Sequence, residues 1–301
     1  MKHLLKLSDW SEKEIIETLN LADQLKFDKK NGIEHHLLKG KTLGRIFEKS
    51  STRTRVSFEV GMHDLGGMAL FLSSRDLQIG RGEPVEDTAR VLSRYLDGIM
   101  IRTFAQAEVE ELAKMGDIPI INGLTDYCHP CQVLADLMTI REHKGMLKGL
   151  KLCYIGDGNN MANSLIVGGI KVGMSVAIAT PANYKPDADI MKWAAENGDF
   201  TWTEDVLEAA KDADALYTDV WASMGQEGEA EERKKIFKSY QINDSVMAVA
   251  KPDAMVLHCL PAHREEEITA KVFEAHANEI FDEAENRLHA QKAVMVKCMT
   301  D

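Results

Sequence analysis

The segment Leu-Gly-Arg-Ile-Phe-Glu-Lys-Ser-Ser-Thr-Arg-Thr-Arg, residues 43–55, joins an apolar run to a cluster of hydroxyl and guanidinium side chains. The run Leu43–Phe47 has the length and composition of a buried strand. Val56, Val60 and Leu65 then follow at near-helical spacing, so the strand is predicted to pass directly into a helix. A buried strand that leads into a helix is the building unit of α/β proteins.

The same alternation continues along the chain. The predicted strands are Leu43–Phe47, Met68–Leu72, Ile99–Arg102, Ile118–Ile121, Lys151–Ile155, Ser175–Ala179, Ala213–Tyr217 and Met255–His258. The further predicted helices are Pro84–Leu96, Glu108–Met115, Cys131–Lys144, Met161–Val172, Asp187–Glu196 and Asp282–Met299. Strands that alternate with helices predict parallel sheets covered by helices on both faces.

The alternation pauses after the helical pattern of Cys131–Lys144, which Gly145 ends. A new strand pattern then begins at Lys151. We therefore predict an α/β fold with two doubly wound parallel-sheet domains and a cleft between them. The first domain would span 1–145 and the second 146–285.

The amino-acid composition of the chain disfavours some classes of function. The chain has 301 residues, of which 45% are hydrophobic, as expected for a globular protein with one large or two medium domains. It carries 36 Lys and Arg against 48 Asp and Glu, a net charge of −12, which disfavours nucleic-acid or anionic-membrane partners. Its five cysteines are odd in number and scattered, unlike a disulfide framework. With neither a signal peptide nor a long apolar run evident, we expect a cytoplasmic protein.

Ser51, Thr52, Arg53, Thr54 and Arg55 follow the carboxyl end of the first predicted strand, where parallel α/β sheets place their ligands. A helix start offers unpaired N–H groups and a partial positive charge, and hydroxyl groups there can bond phosphate oxygens. Guanidinium groups add planar, permanently charged donors. An ordinary capped helix with solvated arginines is the alternative, but so dense a cluster favours an anion pocket. A nucleotide P-loop is disfavoured, because the Gly-x-x-x-x-Gly-Lys-Ser/Thr spacing is missing.

Five segments carry a family resemblance. Ser51–Arg55 resembles the carbamoyl-phosphate signature of the aspartate and ornithine carbamoyltransferases, and His129–Gln132 is a second match. Three further segments, Asp219–Gly225, His258–Pro261 and Glu285–Arg287, are similar to the ornithine branch. The matches stand in the family's order and spread over nearly the whole chain.

The resemblance implies transfer of the carbamoyl group of carbamoyl phosphate to the δ-amine of L-ornithine, without a cofactor or a metal. Residues 1–145 would bind carbamoyl phosphate, 146–285 would bind ornithine, and the helix 286–301 would pack back on the first domain. The family further implies a homotrimer or a multiple of trimers, and we favour a role in arginine biosynthesis over citrulline breakdown.

Site residues follow from the same resemblance. It implies a carbamoyl-phosphate site formed by Ser51, Thr52, Arg53, Thr54, Arg102, Leu124, His129, Gln132, Cys259, Leu260 and Arg287. It implies an ornithine site formed by Asn160, Asp219, Ser223 and Met224. The catalytic residues would be Arg102, His129, Cys259 and Arg287. The chemistry agrees, because an anionic leaving group needs cationic donors and an α-ammonium needs a carboxylate such as that of Asp219.

The implied reaction is a direct acyl transfer. The δ-amine must lose its proton before it attacks, and a free amine of this type has a pKa of about 10. The site must therefore favour the neutral amine through burial and nearby cations. Arg102, His129 and Thr54 would then stabilise the oxyanion, and phosphate would leave.

Two motifs admit other functions. Cys128 and Cys131 form a Cys-x-x-Cys around His129, which is compatible with a zinc or redox site. No second pair lies at metal spacing, so packing is the simpler role for both thiols. Gly156–Met161 begins like a dinucleotide fingerprint, but Met161 stands where the third glycine is needed. A turn that contacts the amino-acid substrate fits this segment better.

Other polar residues are assigned ordinary roles. Cys259 could be a covalent nucleophile, but direct attack by an amine needs no covalent intermediate, so we expect a contact beside that amine. The acidic runs Glu229–Glu232 and Glu265–Glu267 are predicted to be solvated helix faces. Five histidines without a motif are treated as surface or packing residues: His63, His143, His263, His276 and His289.

Three rival functions remain to be tested. A sister enzyme acting on aspartate, putrescine or an acylated ornithine is the nearest, and Arg75 with Arg81 leaves a basic loop of the aspartate type open. His-Cys-Leu-Pro replaces the His-Pro-Leu-Pro of the aspartate branch, and neither putrescine nor an acylated amine would use Asp219. A dehydrogenase using Gly156–Met161 and an exported two-lobed binding protein are the other classes.

Overall fold

The computed structural model describes residues 1–78, 82–223 and 225–300. Backbone packing divides the chain into two units. Unit 1 comprises Met1–Ala135 and Asn286–Asp301, and unit 2 comprises Asp136–Glu285. Residues 136–145, expected from the sequence in the first domain, pack with unit 2.

Among the described residues of unit 1, four parallel strands form a sheet. They are β1 (Thr42–Phe47), β2 (Met68–Ser73), β3 (Gly98–Arg102) and β4 (Ile120–Leu124). The order across the sheet is β2-β1-β3-β4, so the chain leaves the central pair in opposite directions. The carboxyl ends of β1 and β3 therefore form the topological switch point, where such sheets bind their ligands.

Unit 2 repeats this plan with five parallel strands in its described part. They are β5 (Lys151–Ile155), β6 (Ser175–Ala179), β7 (Phe200–Thr203), β8 (Ala215–Thr218) and β9 (Met255–His258). The order is β7-β6-β5-β8-β9, which puts the switch point at the carboxyl ends of β5 and β8. The two parallel-sheet α/β domains predicted from the sequence are thus confirmed.

Helices connect the strands. In chain order they are α1 (Glu12–Lys30), α2 (Thr52–Asp64), α3 (Val85–Leu92), α4 (Gln106–Met115), α5 (Pro130–Lys144), α6 (Asn160–Lys171), α7 (Ala188–Asn197), α8 (Val206–Ala210), α9 (Ala230–Phe237), α10 (Asp244–Val249), α11 (Ala270–Ala275) and α12 (Ala277–Met299). Side-chain caps start several of them: Ser11 and Glu14 form a reciprocal capping box on α1, and Asp187 caps α7. No helix in the described residues is both long and apolar enough to cross a membrane.

Each sheet has its own apolar core. In unit 1, strands β3 and β4 are buried along their whole length. Their aliphatic side chains pack with those of α3 and α4 in one cluster: Ile46, Ala89, Leu96, Ile99, Ile101, Val109, Leu112, Ile118 and Ile120. In unit 2, Trp221 and Phe237 lie in the corresponding cluster, with ring centroids 6.2 Å apart. These cores fix the strand ends that carry the polar residues.

Some predicted boundaries were wrong. The strand predicted at Ile118–Ile121 starts at Ile120 and continues to Leu124, because Pro119 has no N–H to donate within a sheet. The strand predicted at Ala213–Tyr217 starts two residues later, since Asp212 adopts a left-handed conformation with φ of 56°.

Other elements differ in length or have no counterpart in the prediction. The helix predicted to reach Leu96 ends at Leu92, where the Ser93 hydroxyl donates to the carbonyl of Ala89. The final helix begins at Ala277, before the predicted start at Asp282. The sequence patterns did not predict α1, β7, α8, α10 or α11, most of which are short elements.

Candidate active site

The predicted anion pocket of unit 1 lies at the start of α2. The Ser51 hydroxyl caps this helix by accepting a hydrogen bond from the Thr54 backbone N–H at 3.2 Å. The first turn contains no acidic side chain, so the partial positive charge of the helix start is not neutralised locally. Thr52 is exposed, Arg53 is half-buried and Thr54 is buried, so the segment spans from the surface into the interior. This arrangement suits a small anion.

Arg287 on α12 connects three of these elements. Its guanidinium donates to Gln132 Oε1 at 2.6 Å, to Thr54 Oγ1 at 3.1 Å and to Gln291 Oε1 at 2.9 Å. The side chain is 3% exposed. These three partners are neutral, so they do not cancel the positive charge of the guanidinium. Thr54, Gln132 and Arg287, predicted from three separate segments, are therefore in direct contact.

His129 precedes α5 in the same unit and is buried. Burial lowers its pKa well below the ordinary value, and the nearby charges of Arg287, Arg102 and Arg53 lower it further. At neutral pH the imidazole is therefore uncharged and acts as a hydrogen-bonding group. Three guanidinium groups act together on this one ring, which shows how positive the local field is.

The remaining predicted residues of unit 1 lie at strand ends. Arg102 is the last residue of β3 and is buried, and its carbonyl accepts from the Glu48 N–H at 2.9 Å. Leu124 is the last residue of β4, and its carbonyl accepts from the Thr103 N–H at 3.0 Å. These bonds tie the ends of β1, β3 and β4 together beside the start of α2.

In unit 2, Asp219 follows β8 and is 7% exposed. Its Oδ1 accepts from the Val220 N–H at 2.8 Å and from the Cys259 thiol at 3.0 Å, while Oδ2 accepts from Asn159 Nδ2 at 2.9 Å. The carboxylate is thus held by groups that follow three strands, β5, β8 and β9. Held in this way, it presents a fixed negative charge to a cationic ligand.

Asn159, which was not predicted as a site residue from the sequence, donates the hydrogen bond to Asp219 Oδ2. Its Oδ1 caps α6 by accepting from the N–H groups of Met161 at 2.9 Å and Ala162 at 3.3 Å. The predicted ligand Asn160 is the first residue of α6, and its carbonyl accepts from Ser164 Oγ at 2.7 Å. The signal for Asn159 was present, because Asn before an apolar helix is a preferred N-cap residue.

Ser223 lies in the loop after β8, where its N–H donates to Gln226 Oε1 at 3.0 Å. Met224 and Arg81 lie outside the described residues. The loop is fixed by Arg233 on α9, which donates to the Trp221 carbonyl and to Asp157 Oδ2, both at 2.9 Å. No motif marks Arg233, and only the fold brings it to this loop.

Cys259 and Leu260 follow β9. Burial raises the Cys259 pKa well above the ordinary value, and the Asp219 carboxylate raises it further. Cys259 is therefore a neutral thiol that donates to Asp219, which argues against a thiolate nucleophile. Leu260 has a positive φ of 59°, rare for a branched side chain, and its N–H donates to His258 Nδ1 at 2.8 Å.

Two buried carboxylates hold this turn. Glu283 Oε2 accepts from the His258 N–H at 2.8 Å, and Glu267 Oε1 pairs with His258 Nε2 at 3.0 Å. The prediction that Glu265–Glu267 form a solvated helix face was wrong, because the three residues lie in a turn and Glu267 is fully buried. The physical reason is its pairing with His258, nine residues earlier, which sequence periodicity does not reveal.

The two rival motifs have structural explanations. Burial raises the pKa values of Cys128 and Cys131 to about 12, and their thiols donate to the backbone carbonyls of Leu5 and Asn122, so a metal or redox thiolate is disfavoured. A Cβ on Gly158 would lie 2.2 Å from the Lys185 carbonyl carbon. That glycine accommodates the protein's own backbone, so it gives no support to a dinucleotide site.

Two family models together match almost the whole chain. The carbamoyl-phosphate-binding domain of aspartate/ornithine carbamoyltransferase matches residues 2–142, and the Asp/Orn-binding domain matches residues 148–298. Proteins of similar sequence match this chain over nearly their full length. Ornithine carbamoyltransferase of Oceanobacillus iheyensis is 56% identical over 305 residues, covering 100% of this chain and 95% of the relative.

Solved structures show the same similarity. Ornithine carbamoyltransferase of Pyrococcus furiosus has a TM-score of 0.94 and 54% identity, covering 99% of this chain and 97% of that one. Anabolic ornithine carbamoyltransferase of Campylobacter jejuni has a TM-score of 0.93 and 44% identity, covering 98% of each chain. The chain belongs to the aspartate/ornithine carbamoyltransferase family.

Proposed function

We propose that this protein transfers the carbamoyl group of carbamoyl phosphate to the δ-amine of L-ornithine, giving L-citrulline and phosphate. One observation carries the proposal beyond family membership: the buried, neutral His129 lies in the field of Arg53, Arg102 and Arg287 beside a helix start without acidic residues. Such a field suits a phosphorylated acyl donor, whose charge grows on the leaving phosphate.

Carbamoyl phosphate is assigned to unit 1. Ser51, Thr52, Arg53 and Thr54 bind its phosphate through hydroxyl, guanidinium and helix N–H donors. Arg102 and His129 donate to the carbonyl oxygen, where negative charge develops as the amine attacks. The contacts of Arg287 with Thr54 and Gln132 support a shared role for this group beside the carbamoyl moiety. Gln132 and the Leu124 carbonyl, as acceptors, orient the carbamoyl amide.

Ornithine is assigned to unit 2. Asp219 binds its α-ammonium, and Asn160, Ser223 and Met224 contact its amino-acid end. The half-buried thiol of Cys259 and the backbone of Leu260 lie beside the δ-amine. The preference for ornithine over aspartate rests on charge, because the Asp219 carboxylate repels an added carboxylate but attracts an ammonium group. Putrescine and an acylated amine lack the α-ammonium that Asp219 pairs with.

The chemistry needs a neutral δ-amine, whose pKa in water is about 10. Burial and the guanidinium groups of the carbamoyl-phosphate site disfavour the ammonium form. The neutral amine then attacks the carbamoyl carbon, the C–O bond to phosphate breaks, and the phosphate dianion can accept the amine proton. Neither a metal nor a cofactor takes part in this scheme.

The proposal extends to the oligomeric state of the enzyme, its cellular compartment and the metabolic direction in which it works. We propose a homotrimer, or a multiple of trimers, in the cytoplasm. We also propose the biosynthetic direction, in which citrulline is made for arginine; the similar Campylobacter jejuni protein is described as anabolic. Light scattering measures the assembly, and a mass near that of a single chain would contradict it.

The decisive experiment is an amine panel. Purified protein is incubated with carbamoyl phosphate and either ornithine, aspartate, putrescine or N-acetylornithine, and both the ureido product and inorganic phosphate are measured. We expect ornithine to give equal amounts of citrulline and phosphate at a rate far above the other amines. Equal rates with putrescine, or no phosphate release with ornithine, would overturn the assignment.

A further inference from the structure

The turn after β9 contains a second cluster of metal-ligating groups. His263, Glu266 and Glu267 each offer a ligand atom, and all three atoms lie within 4.8 Å of one another. Exposure falls across the cluster: the side chains of His263, Glu266 and Glu267 are 54%, 30% and 0% exposed. The carboxylate of Glu267 is at the buried end of the cluster and the imidazole of His263 is at the exposed end, so an ion can enter from solvent.

Glu267 supplies an independent sign that a ligand is needed. Its Oε1 is satisfied by His258 Nε2 and by the His263 N–H, at 3.0 and 2.6 Å. Its Oε2 is buried and has no hydrogen-bond partner among the residues that the structure describes. A buried carboxylate oxygen without a donor is unfavourable unless a proton or a cation satisfies it.

The imidazole of His263 lies too far from this oxygen for a hydrogen bond, but close to the separation of two groups that share an ion. His263 Nδ1 lies 3.9 Å from Glu267 Oε2, beyond hydrogen-bond range. Two ligand atoms about 2.0–2.1 Å from a tetrahedral zinc ion lie roughly 3.4 Å apart. Rotation of the exposed His263 side chain is enough to close this gap.

We propose that His263, Glu266 and Glu267 form a binding site for a divalent transition-metal ion of the Zn²⁺ class. One imidazole with two carboxylates suits Zn²⁺, whereas Mg²⁺ prefers oxygen ligands and retains its waters. His258 acts as the outer partner, because its ring nitrogen fixes the orientation of the Glu267 carboxylate.

A lysine competes with the ion in the metal-free state. Lys234 Nζ lies 3.1 Å from Glu266 Oε1 and 3.3 Å from Glu231 Oε1. Its side chain is 42% exposed, so it can withdraw into solvent when an ion arrives. Removing this competing charge should therefore tighten metal binding.

The test must exclude a neighbouring thiol. Asp219, His258 and Cys259 form another group able to hold a metal, so Cys259→Ser is used as the background for every variant. Zn²⁺ binding to the purified full chain is measured by equilibrium dialysis and by calorimetry. We expect one Zn²⁺ per chain in this background, with Mg²⁺ unable to displace it.

The His263 side chain is exposed, so replacing it should not destabilise the fold. Adding His263→Ala should weaken Zn²⁺ binding by about 100-fold or more, because loss of an outer partner alone lowers metal affinity by about 10- to 100-fold. Adding Lys234→Met should strengthen it. The matched control is His36→Ala, which removes an exposed histidine of unit 1 and should change nothing. Absence of Zn²⁺ binding in the background, an unchanged affinity with His263→Ala, or an equal loss with His36→Ala would each overturn the site.

Discussion

Replacing Asp219 with Asn tests the assignment of the ornithine site most directly, because it removes one charge at nearly constant volume. Asp219 accepts three hydrogen bonds, from Val220, Cys259 and Asn159. An asparagine can keep only the bonds to one oxygen. Its amide oxygen would remain with the Val220 N–H and the Cys259 thiol, so its NH₂ group would face Asn159.

That contact cannot relax by rotation of Asn159. Asn159 Oδ1 is committed to the cap of α6, so its NH₂ group must stay pointed at position 219. Two donors therefore face each other in a buried place, which is unfavourable by about 1–3 kcal/mol. Because that clash is present with or without ornithine, it lowers the free energy of unfolding and leaves the comparison of free and ornithine-bound protein unchanged. Loss of the charged bond to the ornithine ammonium accounts for about 1.5–3 kcal/mol, or roughly a 10- to 150-fold loss in kcat/KM for ornithine.

The assay is citrulline formation at varied ornithine and saturating carbamoyl phosphate, together with direct calorimetry of carbamoyl phosphate binding. The binding of carbamoyl phosphate should stay within about threefold of the unaltered protein, since Asp219 belongs to unit 2. Asp189→Asn on the exposed face of α7 is the matched control and should leave both quantities unchanged. Parallel losses for both substrates, or no loss for ornithine, would refute the division of roles.

Three further predictions concern other parts of the site, two of them substitutions and one a thiol modification. Arg53→Gln should weaken carbamoyl phosphate binding by roughly 10- to 100-fold through loss of a charge-assisted bond of about 1.5–3 kcal/mol, with the melting temperature retained. Arg55→Gln is its control, since Arg55 is exposed and stacks on Phe71 at 3.8 Å; equal effects from both would contradict the phosphate assignment. Asn159→Ala should lower the free energy of unfolding by about 1 kcal/mol, because α6 loses its cap; urea unfolding measures this change. The same substitution should raise KM for ornithine in the kinetic assay. An unchanged KM would contradict the link between Asn159 and Asp219. Because its pKa is raised, Cys259 should react with iodoacetamide at neutral pH at least about tenfold more slowly than free cysteine, and rapid alkylation read by mass spectrometry would show a thiolate instead.

The sequence predicted what depends on local pattern. Apolar runs alternating with helical spacing identified most strands, and the polar residues after β1 and β8 fell at the two switch points of the sheets. The cluster of Thr54, Gln132 and Arg287 was predicted only through family resemblance, because 233 residues separate the arginine from the threonine. No local spacing rule connects residues so far apart.

The wrong prediction for Glu267 and the omission of Arg233 both have their physical origin in tertiary contacts. Glu267 lies in an acidic run that looks solvated, yet its pairing with His258 buries it completely. Arg233 belongs to a charged helix, but Asp157 and the Trp221 carbonyl draw its guanidinium inward. In both cases a buried hydrogen-bond partner outweighs the preference of a charged side chain for water.

The contact between Arg287 and Thr54 also has a consequence for biosynthesis on the ribosome. The chain is made from its amino end, so the first sheet emerges long before the segment that begins at Asn286. Arg287 follows Thr54 by 233 residues and Gln291 follows Ser57 by 234, and until these residues emerge Thr54 and Ser57 lack these partners. A nascent polypeptide released short of α12 would therefore have its strands in place but an unfinished anion pocket.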